Sequence, residues 1–265
     1  MGTGFASGEE QWRTRLGTLR QVVRQQVVAR QLAVHLRDVP CRRVLDVGCG
    51  QGTQALLLAR RGHHVVGLDS SAQLLSDFRR ALEVEAPEVR ERVSVLQADA
   101  GRLAELFASA SFDAVLCHGV LMYFDDPRPL LTSIAQVTSP GGIVSLLVRN
   151  GDALAMRPGL LSDWAGVEQA FEGTAYLNRI GVRARADRLD DMTAALAERG
   201  MPLREWYGVR IFTDAAASDA ALPEPEQLNR LLACEERAGR TDPYRRVGAL
   251  LHLIATRRAG EAPAC

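Results

Sequence analysis

Arg43-Val44-Leu45-Asp46-Val47-Gly48-Cys49-Gly50-Gln51-Gly52 decides the fold of this chain, together with Val65-Val66-Gly67-Leu68-Asp69 downstream. An apolar run ends in Asp, a loop with three glycines follows, then a helical pattern, then a second apolar run that again ends in Asp. This is the pattern of a strand, a glycine loop, a helix and a strand built to hold a nucleoside. Glycines let backbone approach a ligand that a Cβ would push away. A carboxylate at the tip of the second strand can accept from both ribose hydroxyls.

The spacing narrows the ligand. The glycines read G-x-G-x-G rather than the G-x-G-x-x-G of dinucleotide folds, and no G-x-x-x-x-G-K-[ST] phosphate loop follows. Asp46 through Gly52, with an acidic residue about 20 positions on, resembles the S-adenosylmethionine loop of class I methyltransferases.

Outward from this unit, strands and helices alternate. The pattern predicts strands at Arg43–Val47, His64–Leu68, Val93–Gln97, Phe112–Cys117 and Ile143–Val148. Helices are expected at Thr53–Arg61, from Ser70 or Ser71 to Glu85, over 102–108 and at Pro127–Val137, with a turn at Pro140-Gly141-Gly142. Residues 11–38 read as one or two preceding helices. Such alternation implies an α/β, doubly wound and mostly parallel sheet whose ligand lies beyond the carboxyl ends of the strands. Asp46, Asp69, Asp99 and His118 fall at those ends. Late segments read as a helix at Leu189–Arg199, a strand at Glu205–Phe212, a helix at Glu226–Arg237 and a strand at Leu250–Ala255. An antiparallel pair of these strands would complete a seven-stranded sheet.

The expected organisation is one domain, 1–265. It comprises N-terminal helices (1–40), a cofactor-binding core (41–150), an insertion (151–187) and the rest of the sheet (188–258). The insertion mixes aromatic and turn residues, among them Trp164, Phe171 and Tyr176. Its place at the carboxyl edge suits a substrate lid.

Composition fits a globular enzyme: 47% hydrophobic and 24% charged, with 32 basic and 32 acidic residues. The neutral total does not advertise nucleic acid, although Arg149, Arg157, Arg179, Arg183, Arg185 and Arg188 could form a local basic face. The five cysteines, Cys41, Cys49, Cys117, Cys234 and Cys265, show no metal-ligand spacing and read as free thiols in a reducing cytoplasm. No metal is expected. Neither a signal peptide nor a membrane span is visible, and the last residues from Arg258 read as a frayed tail. The sequence does not set an oligomeric state.

Further segments extend the resemblance over almost the whole chain. They are Gly17-Thr18-Leu19-Arg20-Gln21, Arg61-Gly62-His63-His64-Val65, Asp69-Ser70-Ser71-Ala72-Gln73, Cys117-His118-Gly119-Val120-Leu121 and Gly208-Val209-Arg210-Ile211-Phe212. Asp242-Pro243-Tyr244 with Gly248 and His252 adds another. Together they are similar to the methyltransferase family that contains the bacterial tRNA enzyme esterifying 5-carboxymethoxyuridine at the wobble position.

The resemblance implies S-adenosyl-L-methionine as cofactor and a role for each matching residue. Arg20 would clamp the methionine carboxylate, while Gly48 and Cys49, in the loop with Asp46, Gly50 and Gly52, would approach the amino-acid moiety. Asp69, followed by Ser70, would hold the ribose, and Asp99 with Ala100 would meet the adenine edge. His118 would face the methionine side, either as a cofactor contact or as a base. Arg210 and Tyr244, with Arg246 beside them, are the candidates for an anionic acceptor. The chain departs from the family where Ala249 follows Gly248, where Cys49 replaces a loop glycine, where Gln51 replaces an acid, and through most of the insertion. Two acceptor classes stay open, tRNA or a small molecule of specialised metabolism, as does a cofactor-binding protein without catalysis. A carboxylate acceptor needs no general base, whereas a hydroxyl or amine would need one.

Overall fold

The structure, a computed structural model, describes residues 5–36, 42–217 and 220–259. Cys41, Cys265 and all but the first two residues of the expected C-terminal tail lie outside them.

Two helices precede the sheet, α1 (Glu9–Arg13) and α2 (Leu19–Leu36). The buried apolar residues of α2, among them Val23, Val27, Val28 and Leu32, repeat at three- and four-residue spacing. They seat the helix on the sheet. The core then alternates: β1 (Arg43–Val47), α3 (Thr53–Arg60), β2 (His64–Asp69), α4 (Ala72–Glu83), α5 (Pro87–Arg90), β3 (Val93–Gln97), α6 (Leu103–Leu106), β4 (Phe112–His118), α7 (Arg128–Val137) and β5 (Thr138–Arg149). Every strand expected here forms. The helix expected to run on to Glu85 ends at Glu83, and Pro87 opens the separate short helix α5. Pro fits the first turn of a helix because that N–H has no intrahelical partner anyway.

Pro140-Gly141-Gly142 lies inside β5 rather than ahead of it. Between Phe112↔Thr138 and Ala114↔Ile143 the register against β4 shifts, so the segment is a bulge turned by Gly141 at φ +74.

Beyond β5 come α8 (Met156–Leu160), α9 (Trp164–Glu172) and the hairpin β6 (Ala175–Leu177) with β7 (Arg183–Arg185). The chain closes with α10 (Leu189–Ala197), β8 (Leu203–Val209), α11 (Pro225–Gly239) and β9 (Leu250–Thr256). Asn150 fastens the base of the insertion: its backbone bridges to Asp187, and its amide donates to the carbonyls of Arg246 (3.0 Å) and Gly248 (2.8 Å).

The main sheet has seven strands in the order β3-β2-β1-β4-β5-β9-β8. β9 runs antiparallel to both β5 and β8. β8 therefore points the same way as the first five strands, and its carboxyl end, at Arg210, shares their edge. The order reverses between β1 and β4, which opens a crevice at that edge. Both faces of the sheet are covered: Leu131, Ile134 and Leu196 pack on one, Leu32, Leu58 and Phe78 on the other. The central strands read as unbroken apolar runs for this reason. No helix among the described residues is long and apolar enough to cross a membrane.

Candidate active site

A cavity of about 320 Å³ fills the crevice. Its floor is the glycine loop. Gly48, Gly50 and Gly52 have φ of +68, +55 and +80. A Cβ on Gly52 would lie 2.1 Å from the Phe78 ring, and one on Gly48 would lie 2.2 Å from Val120 Cγ2. These two glycines therefore let the loop pack against Phe78 of α4 and Val120 beyond β4, and Gly52 itself does not line the cavity.

Asp69 ends β2 beneath the loop. Its Oδ2 accepts from Gly50 N (2.8 Å) and its Oδ1 from Ser71 N (2.9 Å). The carboxylate is thus fixed in place while half its lone-pair capacity stays available. Burial pushes its pKa up, and the two backbone donors work against that. Asp46, at the tip of β1, is almost fully buried, and burial followed by the charge of Asp69 pushes it up to about 7. Asp99 caps a 3-10 turn, its Oδ1 accepting from Gly101 N at 2.7 Å, and borders the cavity with Ser70, Ala98 and Ala100. Burial and the neighbouring carboxylates hold the Cys49 thiol in its neutral form.

The opposite wall is basic. Helix α2 presents Arg20 and Arg24, one helical turn apart, to the cavity. Arg24 Nη2 donates to the His118 carbonyl at 3.1 Å, and its guanidinium lies 5.4 Å from the Trp12 ring centre. Burial, then the charge of Arg210, lowers it to about 10. Arg20, Arg149 and Arg210 converge on one carboxylate, Asp214, at 2.7, 3.3 and 3.3 Å. All four are buried. Arg210 holds φ +59, uncommon for a side-chain-bearing residue, where the chain turns off the end of β8. Buried Glu235 of α11 holds that turn by accepting from the N–H groups of Ile211, Phe212 and Thr213 and from the Thr213 hydroxyl.

Seven arginines line the cavity (Arg15, Arg20, Arg24, Arg149, Arg157, Arg179 and Arg210) against three aspartates, Asp46, Asp69 and Asp99. His118 ends β4 at the same wall. Burial, then His252 and Arg24, depresses its pKa well below the ordinary imidazole value, so its ring is neutral.

Tyr244 must be corrected. It does not line the cavity and is 53% exposed. Its turn, Tyr244–Val247, is fastened to the outside of β8 by Arg245, which pairs with Asp242 at 2.8 Å and lies 4.1 Å over the Trp206 ring. Arg246 likewise pairs with Asp242 in an exposed position. The phenol that does reach the site is Tyr176, on the insertion hairpin, with the Arg149 guanidinium 5.7 Å from its ring centre. Trp164 and Phe171 of the expected lid are exposed on α9 and do not line the cavity. Of the six arginines read as a basic face, Arg149, Arg157 and Arg179 enter the cavity wall. Arg185 and Arg188 pair instead with Asp187 and Asp152, and Arg183 is exposed outside it. No cluster of His, Cys, Asp and Glu among the described residues could hold a metal ion.

Residues 45–146 match the family described as methyltransferase domain. The chain is 30% identical over 249 residues to the tRNA 5-carboxymethoxyuridine methyltransferase of Escherichia coli O157:H7, covering 91% of this chain and 89% of that one. The chain belongs to the class I S-adenosylmethionine-dependent methyltransferases. The ubiquinone biosynthesis O-methyltransferase of Paracidovorax citrulli is 38% identical over 203 residues, 73% of this chain and 76% of that one. Among solved structures, magnesium protoporphyrin IX methyltransferase from Synechocystis PCC 6803, with S-adenosylhomocysteine bound, shares the fold with a TM-score of 0.62 at 18% identity over 94% of each chain.

S-adenosylmethionine is the cofactor of this methyltransferase. The donor set suits it: a paired acidic floor for hydroxyls and a cationic sulfonium, and guanidinium groups for a carboxylate. Sequence reading missed Arg24 and Asp214 as site residues, and took Arg149 only as part of a basic face and Tyr176 only as part of the lid insertion. Arg24 was findable, since it sits one turn beyond Arg20 on the same helix face. Asp214 lies in a segment without periodicity and carried no signal.

Proposed function

We propose that this methyltransferase transfers its methyl group to a carboxylate, and that the acceptor is 5-carboxymethoxyuridine in tRNA. The observation that carries the reading is the buried cluster of Arg20, Arg149 and Arg210 on the single carboxylate of Asp214, which leaves two positive charges uncompensated at the cavity wall. Buried charges without partners are costly, so the cluster calls for anions. Two carboxylates would meet the need, one from the methionine moiety at Arg20 and one from the acceptor at Arg149 and Arg210. The length of similarity to the tRNA enzyme supports this choice of acceptor.

When bound, S-adenosylmethionine supplies a methyl group on a sulfonium, an activated leaving group. Asp69 would hold the ribose, and Ala98 to Ala100 would border the adenine. Arg149 and Arg210 would hold the acceptor carboxylate in line with the methyl group, and the hairpin carrying Tyr176 would cover it as a lid and exclude water. Positioning of this kind contributes up to ~7–11 kcal/mol. A carboxylate oxygen attacks without losing a proton, so no base is needed, in keeping with a neutral His118. The partners on this reading are tRNA and the cofactor, in the cytoplasm.

The test is transfer of tritiated methyl groups to bulk tRNA from a strain lacking the modification. Base-labile label in tRNA is the expected result. Label confined to small-molecule extracts would overturn it in favour of a small acceptor, the class suggested by the similarity to a ubiquinone biosynthesis O-methyltransferase. A phenolic acceptor would need a base, and His118, depressed as it is, is poorly suited to be one.

A further inference from the structure

Behind His118 runs a chain of buried polar groups with no part in the chemistry described so far. Gln31 of α2, Ser145 of β5 and His252 of β9 are each almost wholly buried. Gln31 Nε2 meets the Gly208 carbonyl at 3.4 Å, and its Oε1 lies 2.7 Å from His252 Nδ1. Ser145 Oγ lies 2.8 Å from His252 Nε2 and 2.8 Å from His118 Nε2.

The direction of every hydrogen bond in this chain follows from its far end. A carbonyl oxygen only accepts, so Gln31 must donate to Gly208 and turn its own oxygen to His252. His252 Nδ1 then carries the hydrogen, and its Nε2 is a bare lone pair. The single hydroxyl hydrogen of Ser145 must go to that lone pair, so Ser145 Oγ accepts from His118. His118 Nε2 therefore carries the hydrogen, and His118 Nδ1 is left as a lone pair. That nitrogen is buried without a partner, on a residue that lines the cavity. No member of the chain carries charge: burial lowers His252 to about 3 and holds His118 well below the ordinary value.

We propose that Gln31, Ser145 and His252 are positioning residues that set the tautomer of His118, so that its ring offers an unprotonated Nδ1 to the cavity and accepts a hydrogen bond there from the ammonium of the methionine moiety. The inference rests on the cofactor site as assigned above. Its logic is complementarity. A guanidinium-rich wall recognises the carboxylate of an amino acid but repels its ammonium, and a ring held with its lone pair outward supplies the missing acceptor. With the opposite tautomer the ring would present an N–H, and two donors would face each other. Which nitrogen of a histidine carries the proton is set by what the other nitrogen bonds.

The experiment is nitrogen NMR of the whole protein with labelled histidine, the His118 signals being those lost in His118→Gln, paired with calorimetric titration of S-adenosylhomocysteine. In the unsubstituted protein His118 should show a protonated Nε2 and an unprotonated Nδ1. Ser145→Ala should mix the tautomers and weaken S-adenosylhomocysteine about tenfold, the worth of one hydrogen bond to a charged group. Gln31→Leu, remote from the cavity, should do the same to a smaller degree. A protonated Nδ1 in the unsubstituted protein overturns the proposal. So does an unchanged affinity in Ser145→Ala and Gln31→Leu, which would make the chain a strap between α2, β5 and β9 and nothing more. If the tautomer is as stated but the unsubstituted protein does not bind S-adenosylhomocysteine, the cofactor site is what fails, and the ammonium contact falls with it.

Discussion

Asp46 and Arg20 face each other across the functional logic of this site, and each makes a prediction at the scale of one side chain. Burial and the charge of Asp69 raise Asp46 from its ordinary 3.8 to about 7 in the unliganded protein. Folding therefore favours the protonated acid. That contribution is complete below the ordinary carboxylate pKa and is lost as pH rises through about 7. Asn imitates the protonated form at every pH. Asp46→Asn should then match the parent near pH 4 and exceed it above neutrality by about 4 kcal/mol, read from urea melts across the range. Parallel stability profiles would show that Asp46 ionises normally. Arg20 keeps Nε and Nη1 buried without partners while one Nη holds Asp214. Lys can keep the ion pair but not the fork. Arg20→Lys should therefore stay folded, yet weaken S-adenosylhomocysteine roughly tenfold, nearly as much as Arg20→Ala. Full affinity in the Lys variant would reduce Arg20 to a partner of Asp214.

At the scale of elements, the site depends on segments that sequence periodicity does not describe. The turn 210–214 delivers Arg210 to the cavity and Asp214 to the three arginines of its wall, and it has no regular hydrogen bonding of its own. Glu235, one helical side chain, satisfies three of its N–H groups and a hydroxyl at 2.8 to 3.1 Å. A carboxylate can do this because it only accepts. Glu235→Gln would aim an NH₂ group at donors. The expected loss is about 3 kcal/mol in thermal or urea unfolding, on the order of two to three hydrogen bonds to a charged group. Glu235→Ala should cost as much or more. A neutral outcome would mean that the turn is held by Asp214 and its arginines instead. The insertion divides similarly: its hairpin supplies Tyr176 to the cavity, while α9 turns Trp164 and Phe171 to solvent.

For the whole molecule, the sheet topology determines which residues can meet. Asp46, Asp69, Asp99, His118, Arg149 and Arg210 are spread over more than half the chain, and each follows or ends a strand whose carboxyl end lies at one edge. The reversed strand β9 is what lets β8 point Arg210 to that edge rather than away from it. The consequence for turnover is testable. On the acceptor proposed above, Arg210→Ala should lower methyl transfer to tRNA by about 2–4 kcal/mol in kcat/KM, the loss of an anion contact made in the transition state. S-adenosylhomocysteine affinity, measured by calorimetry, should stay within a few-fold. If cofactor binding falls with turnover, Arg210 belongs to the methionine carboxylate and not to the acceptor.

The cofactor half of this protein was legible from residue order alone. Asp46, the three glycines and Asp69 are contiguous or nearly so, and their spacing is dictated by one strand, one loop and one helix, which are local structures. The alternation of apolar runs and helical periods likewise determined the central strands, because burial on both faces leaves a continuous apolar record. The wall proposed for the acceptor depends on tertiary structure. The sequence put forward Tyr244, and only the packing of Arg245 on Trp206 and of the hairpin over the crevice separates that exposed phenol from the half-buried Tyr176 that lines the cavity. Asp214 and Ser145 carry no motif, and His252 entered only as one residue of a matching segment with no role attached. Their roles come from contacts bridging 194 residues to Arg20, 27 to His118 and 221 to Gln31, which no local pattern can encode.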